Sequence, residues 1–245
     1  MNKKIRRKKV MSRCKEALKL AFPRTIPILA GFLFLGMSYG FIMREAGFPM
    51  IYPIVTSAAV FAGSLEFLFV EILRSPFNPM LVFFLTVMVN ARHIFYGLSM
   101  LDKFKNTGWK KYILIFGLCD ESFSINCDVK LPPHIDKGWF MLHITWLNYI
   151  YWVGGATIGA ILSNFISIQI KGLDFVLTAL FLVIFMEQWL TQKNHTPAIA
   201  GLICSIISFL IFRNILPRPD YFVVPAMVLM LVVFAILRKR ERIYR

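Results

Sequence analysis

Charge is scarce in this chain, and negative charge is scarcest. Only 17% of the residues are Asp, Glu, Lys or Arg, with 13 acids against 28 bases. Soluble domains carry about 25% charged residues, so an ordinary water-exposed surface is excluded, and a soluble domain with it. Cysteine is sparse as well. Cys14, Cys119, Cys127 and Cys204 show no metal or redox spacing, and they read as small residues of membrane helices. No Walker-type phosphate loop, H-E-x-x-H, C-x-x-C or G-x-S-x-G occurs. ATP hydrolysis by the phosphate-loop route is thereby excluded. Any energy the chain uses must come from an ion gradient or a partner.

Long apolar runs take the place of charge. Apolar residues make up 58% of the 245, and they fall in blocks. A bilayer core takes roughly 20 apolar residues per helix. The expected fold is therefore all-α: a polytopic integral membrane protein with seven or eight transmembrane helices. The net charge of +15 gathers at the two ends, in "MNKKIRRKKVMSRCK" and "RKRERIYR". Each run abuts an apolar segment, as cytoplasmic flanks on anionic lipid do. Residues 1–24 then form a basic cytoplasmic segment, 25–238 the transmembrane domain, and 239–245 a basic cytoplasmic tail. With no soluble domain to carry it, nucleic-acid binding is not expected. The first apolar stretch is of spanning length and lacks an A-x-A-like site, so it reads as an uncleaved helix rather than a signal peptide.

The spans predicted are Ile26–Met43, Ile51–Leu73, Met80–Met100, Tyr112–Ser124, Trp139–Leu162, Leu173–Leu190, Pro197–Phe212 and Tyr221–Leu237. Pro23 and Pro27 mark the start of the first. Gly31, Gly36 and Gly40 recur along it near helical spacing, where they either admit a neighbouring helix or loosen their own. The second contains "FAGSLEF", with a Gly-Ser pair beside Glu66, and is expected to be broken or re-entrant, its freed backbone turned toward protein or water. Trp109, Trp139, Trp189 and Tyr221 fall at expected membrane interfaces. Eight spans leave both basic ends inside but put the loop bearing Lys103, Lys105, Lys110 and Lys111 outside. A re-entrant second segment repairs that loop and upsets another, so the parity stays open.

Four places set ionisable groups inside apolar runs: Glu66, Arg92–His93, Asp120–Glu121 and Glu187. An Arg or Asp at a helix centre costs roughly 2.5 to 3.5 kcal/mol on insertion scales, so such groups face the bundle interior. In "NARHIFYG", Asn90, His93 and Gly97 share one helix face, with Tyr96 close to it and Gly97 available for close approach. Arg92 points elsewhere, toward Glu66, Asp120 or Glu121. Either the pair staples helices together, or the cluster binds a zwitterion or relays a proton, or Arg92 snorkels to the interface. Glu66 follows Gly63 by three residues on one face, a position suited to a broken-helix substrate site. Asp120 and Glu121 fall near a helix end, either solvated at headgroup depth or held where a carboxyl can keep a proton. Glu187, close to Trp189 and Thr191, reads as interfacial.

"FAGSLEF", "NARHIFYG", "CDESF" and "GLDFVLTALFLVIF", in that order, resemble the AzlC family of branched-chain amino-acid exporters. "FPRTIPILAGFLFLGMSYGFIMREAG" resembles that family's first span, and the likeness covers roughly residues 17 to 210. The resemblance implies a multi-pass permease of the bacterial inner membrane that exports valine, leucine, isoleucine and toxic analogues. It also implies a small hydrophobic AzlD-type partner subunit. Asn90, Arg92, His93, Tyr96 and Gly97 match the family pattern. Glu66 stands where glutamine is common, and Cys119 where threonine is usual. On this reading Gly63, Glu66, Asn90, Arg92, His93 and Tyr96 line the substrate site, and Asp120 and Glu121 lie on a proton or gating path. No cofactor or metal is expected, and efflux is driven by the proton-motive force. The rival readings are a membrane enzyme acting on a lipid, and a scaffold or assembly subunit with no site of its own.

Overall fold

The computed structural model describes residues 3–129, 131–165 and 195–212, with isolated helical positions between 178 and 190 and between 226 and 233. All secondary structure among the described residues is helical: α1 (Lys3–Glu45), α2 (Ile51–Ala59), α3 (Gly63–Arg74), α4 (Pro79–Phe104), α5 (Lys110–Phe116), α6 (Asp120–Asp128), α7 (Lys137–Leu162) and α8 (Thr196–Phe212). Among the described residues, two helices are long and apolar enough to cross a membrane by length and composition, one over Met11–Glu45 and one over Pro79–Phe104. Most of the sixth and eighth expected spans, Glu187 and Tyr221 included, lies outside the described residues. The chain divides into two compact units, Met1–Phe77 with Val89–Val176, and Asn78–Met88 with Leu177–Arg245. In the second unit, α8 buries Cys204 and Ser208, and Trp189 stacks on His195 with ring centroids 4.2 Å apart.

The first helix does not begin at its prolines. Pro23 and Pro27 lie inside α1. Proline removes a backbone donor from the helix interior, and nearby side chains add donors in that turn: Arg24 Nη1 donates to Leu20 O (3.1 Å) and Thr25 Oγ1 to Phe22 O (2.9 Å). Thr25 also shares a hydroxyl contact with Tyr151 on α7 (3.1 Å). Ala17 and Ala21, one turn apart, are fully buried among Met100, Phe104, Leu114, Phe140 and Ile144.

Lipid is as apolar as leucine, so helices in a membrane associate through close packing and hydrogen bonds rather than through apolar burial. α1 and α7 pack by contact between their backbones. A Cβ on Gly36 would stand 2.8 Å from Trp152 O, and one on Gly155 3.0 Å from Leu33 O and Phe32 O. Gly40 lies against Ala156 and Ala160, and Gly159 against the backbone of Met37. The glycines of the first span thus admit a neighbour, apart from Gly31, where a Cβ would meet nothing within 4 Å.

Two of the expected spans are discontinuous among the described residues. The expected second span is broken at Val60–Ala62, between α2 and α3. The expected fourth span, read as one helix over Tyr112–Ser124, is also broken, at Gly117–Cys119 between α5 and α6. Gly117 is needed there because any side chain would collide with the γ-methyl of Thr145 on α7.

The basic loop after α4 is largely engaged. Lys103 Nζ donates to the carbonyls of Asn126 and Cys127 at the end of α6, where orphan acceptors gather. Lys105 pairs with Asp102. Lys110 lies 3.7 Å from Asp136 and sits over the Trp139 ring. Trp109 and Trp139 meet edge to face, 6.3 Å between centroids.

Candidate functional site

Breaking a helix inside lipid frees backbone groups that must find partners within the protein. At the first break, Phe61 adopts a left-handed conformation (φ 48°), which costs a non-glycine residue about 1–2 kcal/mol. Its buried ring is held against Tyr149 (5.2 Å between centroids) and stacked on Phe116 (6.5 Å). Tyr149 also donates its hydroxyl to Ala58 O (2.9 Å), a carbonyl freed at the end of α2. At the second break, Ser122 Oγ accepts from Cys119 N–H (2.9 Å) and lies 3.2 and 3.1 Å from Gly117 O and Cys119 O. Cys119 and Ser122 form a capping box for α6. The threonine expected at 119 is therefore replaced at a helix N-cap, with the Ser122 hydroxyl covering the freed groups. The two breaks meet through Phe61 and Phe116, and both pack on Tyr149 of α7.

Glu66 lies in the first turn of α3 and is fully buried. Its Oε1 accepts from Ala62 N–H (2.9 Å), one turn back, and Trp152 Nε1–H donates to both carboxyl oxygens (3.1 and 3.0 Å). The carboxylate therefore closes the α3 terminus, and its hydrogen bonds come from a backbone amide and an indole rather than from Arg92. Gly63 lies against the same indole: a Cβ there would stand 2.8 Å from Trp152 Cη2. Glu66→Gln is expected to fold, because a carbonyl oxygen in the Oε1 position can still accept from both Ala62 N–H and Trp152 Nε1–H. Exchanging the Oε2 acceptor for an amide donor facing the indole N–H should lower stability by about 1 kcal/mol, to be read as a small fall in thermal midpoint of the purified chain.

Arg92 reaches across the starts of both downstream half-helices. Its Nη1 lies 2.5 Å from Asp120 Oδ2 in the first turn of α6, and its Nη2 donates to Ser64 Oγ (3.1 Å) in the first turn of α3. The pair's side chains are only 27% and 30% exposed, so water screens it less than a surface bridge. Of the three carboxylates expected to compete for Arg92, Asp120 is the partner. Asp120 and Glu121 open a helix rather than closing one, the placement in which acids meet the positive end of the helix dipole. Arg92 Nε, His93 Nδ1 and Asp120 Oδ1 are buried atoms without a hydrogen-bond partner among the described residues. Buried polar groups are nearly always satisfied, so this cluster offers a donor and an acceptor side by side. His93 meets Tyr96 edge to face (5.9 Å), and Tyr96 stacks on Phe123 of α6 (4.4 Å).

Gly63, Glu66, Arg92, His93, Tyr96 and Asp120 are thus gathered around the N-termini of α3 and α6. Asn90, half-buried one turn before His93, and Glu121, half-buried beside Asp120, make none of the contacts just described. Gly97 is not a close-approach position, since a Cβ there meets nothing within 4 Å. Sequence reasoning missed Ser64 as a ligand of Arg92, Trp152 as the partner of Glu66, and Tyr149 as the bridge between the breaks. The one usable signal was that a tryptophan and a tyrosine sit in the middle of an apolar run, where their polar atoms need partners. An almost wholly apolar groove of about 280 Å³ adjoins the second break, lined by Tyr112, Ile113, Phe116, Gly117, Thr145, Trp146 and Tyr149.

Comparison with known proteins now decides the family. The AzlC protein family matches residues 27–166, a range that contains both breaks and Arg92. The branched-chain amino acid transport protein AzlC of Bacillus subtilis is 53% identical over 223 residues, covering 91% of this chain and 86% of that protein. This chain belongs to the AzlC family. Two further relatives carry only the description uncharacterized membrane protein. One, from Haemophilus influenzae, is 43% identical over 87% of this chain and 86% of its own length. The other, from Helicobacter pylori J99, is 33% identical over 92% of this chain and 96% of its own length. No solved structure matches this AzlC-family chain.

Proposed function

We propose that this chain is the large subunit of a secondary carrier, spanning the bacterial inner membrane seven or eight times, that exports valine, leucine, isoleucine and their analogues. The transmembrane permease domain is residues 25–238, between basic cytoplasmic segments 1–24 and 239–245, and a small AzlD-type membrane subunit is its partner. Membership of the AzlC family and the description of its B. subtilis relative supply the substrate class. The observation that carries the site is Arg92, bound at once to Ser64 and Asp120 at the starts of two broken helices. Broken helices whose N-termini point at anionic substrate groups are a recurrent carrier device.

A free amino acid brings a carboxylate and an ammonium into a low-dielectric site, and each needs a counter-charge. Arg92 and the first amides of α3 receive the carboxylate. Asp120 receives the ammonium. Gly63, Glu66, Asn90, His93 and Tyr96 shape the pocket, and the apolar groove at Gly117 offers room for a branched side chain. Asp120 and Glu121, adjacent at the start of α6, carry the coupled proton in this scheme.

Leucine efflux from preloaded proteoliposomes, with and without the partner subunit, tests the function. Efflux that depends on this chain and accelerates under an imposed pH gradient is expected. Chain-containing vesicles that release leucine no faster than empty ones would defeat the reading. Glu121→Gln should still bind leucine but lose the acceleration by the gradient. An unchanged response to the gradient in that variant would remove Glu121 from the proton path.

A further inference from the structure

α7 carries a residue that none of the site assignments includes. Asn148 is fully buried, and neither its Oδ1 nor its Nδ2 has a hydrogen-bond partner among the described residues. A carboxamide can make up to four hydrogen bonds, and leaving both ends of a buried one empty is rare. Its position on the helix is informative. Thr145, Asn148 and Trp152 follow at steps of three and four, so they form one stripe on one face. Thr145 presses its γ-methyl on Gly117 at the second break, and Trp152 lays its ring on Gly63 and its N–H on Glu66 at the first. Both neighbours are therefore spoken for by the two half-helix starts, and Asn148 lies between them on the same face. Ser64, next to Gly63, and Asp120, three residues beyond Gly117, are the two ends of the Arg92 bridge. A side chain offering one donor group and one acceptor suits the backbone end of an amino acid, which has an ammonium and a carboxylate on the same carbon.

We infer that Asn148 is a substrate-binding residue whose carboxamide takes hydrogen bonds from the ammonium and gives them to the carboxylate of a free amino acid lodged between α3, α6 and α7. This assignment rests on the amino-acid carrier reading above. It differs from a structural role in a measurable way. An amide that holds the fold together lowers stability when it is lost. An amide waiting for a ligand does not, because apolar replacement of an unpartnered polar group is neutral or stabilising.

The test compares the full-length wild-type chain with Asn148→Leu, which keeps the branched four-atom skeleton of the side chain, both purified into nanodiscs and melted with and without leucine. Asn148→Leu is expected to melt, without leucine, at or above the wild-type temperature. It should also need at least about tenfold more leucine for the wild-type thermal shift, the equivalent of one lost hydrogen-bonded contact. Wild-type leucine response in Asn148→Leu overturns the assignment, as does a fall in its unliganded melting temperature that accounts for the weaker response. If the wild type ignores leucine, isoleucine and valine but responds to another of the standard amino acids, the branched-chain reading fails and Asn148 is judged with that amino acid. If it responds to none of them, both readings fall.

Discussion

Arg92→Gln is expected to lower leucine efflux per molecule of inserted protein by about 10- to 100-fold, the loss of one or two charge-assisted hydrogen bonds to substrate at about 1.5 to 3 kcal/mol. The variant also leaves Asp120 without its cation in a half-buried setting, so some loss of accumulated protein is expected. The double variant Arg92→Gln/Asp120→Asn separates the two effects. Removing both charges relieves the unpaired carboxylate, and accumulation should recover toward wild type. If the bridge only stapled helices together, efflux would recover with it. The account predicts that efflux stays low, because neither charged end of the substrate then has its partner. Efflux and protein amount measured in the same vesicles distinguish the outcomes.

Gly159→Val is expected to abolish stable accumulation. A Cβ at 159 would lie inside the space of the Met37 backbone, and backbone cannot rotate away as a side chain can. Overpacking of this kind costs typically about 1–3 kcal/mol and occasionally more. The rigid contact between α1 and α7 argues for the upper end. Both breaks and the core at Ala17 and Ala21 lean on α7, so separating α1 from it should expose the chain to proteolysis. Gly154→Val is the control. It lies on the same helix five residues earlier, nothing stands within 4 Å of its added Cβ, and its effect should stay within about 0.5 kcal/mol. Size-exclusion profiles of detergent extracts report both.

The first break could be read from sequence because its cause is local: a Gly-Ser pair next to an acid in an apolar run. The second could not. "YILIFGLC" reads as uninterrupted apolar helix, and what demands glycine at the break is the γ-methyl of Thr145, 28 residues beyond Gly117. The same limit explains Arg92. That it needed a carboxylate followed from its place in an apolar run, but three were on offer, and the choice of Asp120 depends on α6 beginning at that residue. Glu66 was expected to face a cation or a ligand. Its actual partner is Trp152, whose indole fits against the start of α3 because Gly63 has no side chain there. The glycines of α1 were read as either admitting a neighbour or loosening their own helix, and only the fold pairs Gly36 and Gly40 with α7 and leaves Gly31 and Gly97 open.

The most direct test of the central claim, that an amino acid binds where Arg92 joins the starts of α3 and α6, is protection of one engineered thiol. Ser64→Cys is introduced after Cys14, Cys119, Cys127 and Cys204 have been replaced, and its reaction with a small thiol reagent is timed in proteoliposomes that still transport leucine. Saturating leucine should slow that reaction several-fold, and glutamate, charged on its side chain, should not. A modification rate that leucine leaves unchanged while efflux continues would place the substrate elsewhere and contradict the account.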